Sequence, residues 1–147
     1  MELSDWLPSA VALVVGIGSV LLSNFYIDNM EKKKARDQRT KAMSDYAHAL
    51  LEWHLFNFSR LGVGSGNHPM PSADRLEEAA RKFYPYLSEF KGHVHYGNLM
   101  SPYPESELMT APWDESDFYQ NACDAIENHL AKYPKKPAKD AYLKEAK

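Results

Sequence analysis

His93-Val94-His95 is the one spacing in this chain that suits a shared metal ion. In an extended segment residues i and i+2 point to the same side, so both imidazoles would face one ion. A third ligand would have to come from elsewhere, for example from His54, His68, His129 or Asp124. No cysteine pair, His-Glu-x-x-His or calcium-loop pattern accompanies the two histidines. The expectation is two ordinary loop histidines, with no metal and no cofactor.

Carboxylates pair at Glu77 and Glu78 and again at Glu105 and Glu107, a residue type that serves general acid–base chemistry. The first pair suits the positive end of a helix dipole and the second a solvated loop. Gly62, Gly64 and Gly66 share only composition with a phosphate-cradling loop. No Gly-Lys-Ser/Thr ending follows, no strand precedes, and Pro69 and Pro71 stand where such a loop enters its helix. Gly64-Ser65-Gly66 lacks the spacing of a nucleophile elbow. The single cysteine, Cys123, leaves no internal disulfide and fits a reducing compartment. It stands beside Ala122 in a helical pattern, as a buried structural thiol would. No catalytic residue is assigned, and the expected role is non-enzymatic.

The elements that would hold these residues are organised around one stretch, residues 6–27, which carries no charge across 22 positions. At about 1.5 Å per residue it reaches about 33 Å as a helix, enough to cross a hydrocarbon core of about 30 Å. Water-soluble helices of this length normally carry a polar stripe, and this one has only isolated Ser and Asn residues. Trp6 and Tyr26 fall near the two ends, at the headgroup level that amphipathic rings favour. Pro8 fits a first helical turn, and Ser4 or Asp5 suits its cap. The leader MELSD is acidic and no small-residue cleavage site follows, which favours a retained anchor over a cleaved signal peptide. Within the stretch, Ala12, Gly16, Ser19 and Ser23 are spaced 4, 3 and 4 and share one helical face. Small faces of this kind let helix backbones approach closely in lipid.

Charge is strongly segregated behind the modest net value of −3. Residues 31–41 hold Lys32, Lys33, Lys34, Arg36, Arg39 and Lys41 against Glu31 and Asp37, a net +4. This collar suits anionic lipid headgroups, at about 1 kcal/mol per cation near the surface. By the positive-inside rule it places the following domain in the cytoplasm, at an inner or plasma membrane. Residues 42–130 hold five basic and thirteen acidic residues, a net −8, which argues against nucleic acid as a partner. Residues 131–147 return to +4.

The expected class is all-α, with one N-terminal transmembrane helix followed by a small helical domain carrying one long ordered loop. Its parts are residues 1–5 as a short extracytoplasmic end, 6–27 as the span, 28–41 as a basic juxtamembrane helix, 42–133 as the acidic domain and 134–147 as a basic tail. Ala42, Tyr46, Leu50, Trp53 and Phe56 recur with helical period, and no Gly or Pro lies between Asn24 and Arg60. The span, collar and first domain helix are therefore expected to be continuous. Residues 62–71 are a breaker cluster, and Ser72 suits the cap of the next helix. Pro85 should kink the helix or split it into two; Leu76, Ala80, Phe83, Leu87 and Phe90 keep helical phase across it, which argues for a kink, with an end at Gly92.

Residues 93–113 show no clear period and three prolines. Loops this long are functional or disordered in compact domains, and their apolar content argues for order. Tyr96, Met100, Tyr103 and Trp113 are the candidate interaction residues there, with a turn of helix expected at 105–110. A last helix starts at Asp114 or Ser116, with Phe118, Ala122, Ile126 and His129 or Leu130 facing inward. The expected function is an adaptor, small subunit or modulator of a membrane complex. Its expected partners are membrane lipid, another membrane protein or a second copy through the span, and a cytosolic protein. The alternative is a membrane-tethered sensor that binds a small ligand or metal through 93–113.

Overall fold

The structure, a computed structural model, describes residues 7–62, 66–101 and 112–136, with side chains from residue 11 and, in the last helix, from residue 117. The described residues form helices and no strands. Helix α1 spans Leu7–Arg60, α2 spans Ala73–Phe83, a 3₁₀ helix spans Tyr84–Phe90, α3 spans Tyr96–Met100 and α4 spans Pro112–Lys132. The chain divides into two units, Met1–Asp37 and Gln38–Lys147.

In the first unit, α1 is long and apolar enough to cross a membrane. Its apolar residues are left uncovered by the described residues: Val14 is 68 % exposed and Leu22 71 %. Helical backbone continues through Asn24, Asp28 and Asn29, because these side chains do not compete for the main chain strongly enough to open the hydrogen-bond ladder. Lys32 instead reaches back one turn to Asp28, with Nζ 2.5 Å from the carboxylate. Such an i, i+4 pair supports an exposed helix by a few tenths of a kcal/mol, about 0.3–0.5.

The second unit has a core contributed by α1, α2, the 3₁₀ helix, α3 and α4. The stripe expected on α1 is present: Ala42, Tyr46 and Leu50 are buried, and Trp53 and Phe56 are half-buried. Met43, Ala47 and Ala49 widen it. Gly62, with φ of +73°, ends this part of the chain in the left-handed region where a side chain would be strained. Ser72 caps α2, its Oγ accepting from the Arg75 N–H at 3.4 Å, and Asp74 lies in the first turn. Leu76, Ala80 and Phe83 are buried from α2, and Phe83 lies 4.7 Å from the Tyr46 ring, centroid to centroid.

Pro85 changes the helix type rather than kinking a continuous α-helix. The α-helix ends at Phe83 and the tighter 3₁₀ helix follows at once. Pro85 has no N–H to return to Arg81, and an i, i+3 turn accommodates that loss while keeping Phe90 buried. The described part of the long loop, residues 93–101, is also more structured than its sequence suggests. A short helix, α3, lies inside it and seats Leu99 fully in the core, and α4 starts at Pro112, ahead of Asp114 and Ser116. Proline is well suited to a first helical position because its N–H would be unpaired there anyway. The turn expected at 105–110 and the tail 138–147 lie outside the described residues. On α4, Ala122, Ile126 and His129 are buried, as are Tyr119, Cys123 and Ala125, while Phe118 and Leu130 are half-buried.

Candidate functional site

Small side chains on α1 create the first candidate surface. Ala12, Gly16, Ser19 and Ser23 all lie on this helix and are exposed. A Cβ built at Gly16 meets no atom within 4 Å beyond its own stretch of helix, so the described residues leave the space over it open. The Ser19 hydroxyl donates to the Val15 carbonyl at 2.6 Å, one turn back. With that donor satisfied inside its own helix, the small residues offer close backbone approach more than hydrogen bonding.

The expected collar splits. Lys32, Lys33, Lys34, Arg36 and Lys41 are exposed on α1. Arg39 is not part of a lipid-facing surface: it is 3 % exposed and points into the domain core. The reason is its phase, three residues before Ala42 and seven before Tyr46 on the buried stripe. Arg39 falls within the second unit, which begins at Gln38.

Around Arg39 lies a polar cluster whose residues come from separate elements. The guanidinium of α1 forks onto Glu89 of the 3₁₀ helix, with Nε 3.0 Å from both carboxylate oxygens and Nη2 2.7 Å from Oε2. Nη1 donates to the Tyr133 carbonyl at 3.1 Å, just past the end of α4. His129 of α4 brings Nε2 to 2.9 Å from Glu89 Oε2 and 3.2 Å from Arg39 Nη2. The Arg39, Glu89 and His129 side chains are 3 %, 3 % and 0 % exposed. Burial opposes ionisation of Glu89, but hydrogen bonds from His129 and Arg39, with the adjacent positive charge, outweigh it and hold the carboxyl below its ordinary value. The Phe90 ring covers the imidazole at 4.2 Å between centroids. What this arrangement does chemically is bind three elements together through one carboxylate. A basic residue in phase with a buried stripe was the sequence signal for it.

His93 and His95 do lie together, with ring centroids 5.6 Å apart. His93 Nδ1 is engaged, accepting the His95 backbone N–H at 3.2 Å. Burial, and then the His95 and His129 imidazoles, push the His93 pKa down. Among the described residues, the group of three close metal-ligating side chains is Cys123, Asp124 and Glu127, which includes neither histidine. Burial, followed by the Glu127 and Asp124 charges, pushes the Cys123 thiol up to about 12, so a thiolate ligand is strongly disfavoured at neutral pH.

Of the other loop candidates, Tyr96 is half-buried against the core and Met100 is 55 % exposed. Tyr103 lies outside the described residues, and Trp113 lies in α4 at a position whose side chain is not described. Beside α1 and α2 run two open grooves of about 350 and 440 Å³ that share Asp45 and Lys82. Of the lining charges, Arg75 pairs with Glu52 at 2.8 Å and Lys82 with Glu78 at 2.7 Å. Comparison of the chain with protein-family models, with curated proteins and with solved structures gave no match.

Proposed function

We propose that this protein is a non-enzymatic, single-pass membrane protein that serves as an adaptor, small subunit or modulator of a membrane complex. The observation that carries the reading is the uncovered apolar surface of α1 in the first unit, which in water would be a large unpartnered apolar face. The acyl chains of a bilayer are the natural solvent for it. The small residues Ala12, Gly16, Ser19 and Ser23 would face another membrane helix or a second copy. Lys32, Lys33, Lys34, Arg36 and Lys41 support a cytoplasmic placement of the domain that follows. The exposed Met100 and the acidic surface of the second unit would then be available to a cytosolic protein.

Gly16→Ile tests the reading, because the added side chain finds open space within its own chain and so spares insertion. Both forms should stay in the membrane fraction after alkaline carbonate washing. In mild detergent, the wild type is expected to purify with a stoichiometric partner or as an oligomer, and the variant to lose at least half of that association. Assembly of Gly16→Ile indistinguishable from wild type would reject the small-residue contact. Release of the wild type by carbonate would reject the membrane span itself.

A further inference from the structure

We draw no further inference here: the strongest candidate, the buried Arg39–Glu89–His129 cluster that joins α1, the 3₁₀ helix and α4, belongs to the site already described.

Discussion

Arg39 carries a permanent charge into the interior, and its neighbours decide whether the domain tolerates it. Desolvating a guanidinium is costly, and the bidentate contact with Glu89 together with the Tyr133 carbonyl offsets that cost. Arg39→Ala leaves the Glu89 carboxylate buried without its main counter-charge. The expected loss is about 3–5 kcal/mol, read from thermal or denaturant unfolding of the chain in mild detergent. A loss under about 1 kcal/mol would mean that the cluster is hydrated in solution.

Acid should act on the same carboxyl. Its value in the folded chain is depressed below the ordinary 4.5, so the unfolded chain takes up the proton first as pH falls. The contribution of Glu89 is complete above about pH 4.5 and is lost as pH drops through the folded value. Melting temperature followed from pH 7 to pH 3 should therefore fall at the acid end, and Glu89→Gln should shallow that fall. Parallel curves for the two proteins would remove Glu89 as a cause. At this scale the sequence was partly legible. His129 stood on the predicted inner face and Arg39 was in phase with the stripe, yet the basic run around Arg39 made it look like one more surface cation. Nothing local in the sequence pairs it with a residue 50 positions away.

At the scale of elements, periodicity and capping account for most of the helices, and chemistry at the ends accounts for where they stop. The Ser72 cap is the clearest case, since the hydroxyl satisfies one of the orphan N–H groups that open α2. Ser72→Ala is expected to lower stability by about 1 kcal/mol. In hydrogen exchange the added opening should concentrate in the first turn of α2. Uniform loss across all helices would argue that the cap matters only through global stability. Pro85 and residues 93–113 show where local reading fails. A proline in phase permits a kink or a change of helix type, and the choice falls to whichever keeps Phe90 in the core. Five residues of α3 are too short to announce themselves by period, and burial of Leu99 supports them.

For the whole molecule, an apolar stretch exposed on α1 and a polar-surfaced helical unit with its own core stand in one chain. The contrast between them is readable from composition, because an uncharged apolar run and a charge-rich helical stretch present opposite surface chemistries. A boundary drawn by charge count groups Arg39 with the solvated cations, because composition alone does not distinguish a solvated arginine from a buried one. Tyr46 belongs to this scale too. Its hydroxyl, fully enclosed, and the Trp53 indole nitrogen have no hydrogen-bond partner among the described residues, and burial pushes the Tyr46 pKa up.

The enclosure of Cys123 makes the chain a ready background for thiol-specific labelling. The residue is 2 % exposed and its thiol is held far from ionisation at neutral pH, whereas it is the thiolate that adds to a maleimide. Native protein should therefore stay unmodified by a membrane-impermeant maleimide until it is denatured. Lys136→Cys, at an exposed position, should react quickly in detergent. In sealed vesicles of known sidedness, the introduced thiol alone would then report the compartment that the second unit occupies, with no need to replace the native cysteine. Rapid modification of the folded wild-type chain would show that the core around Cys123 opens far more often than its packing implies.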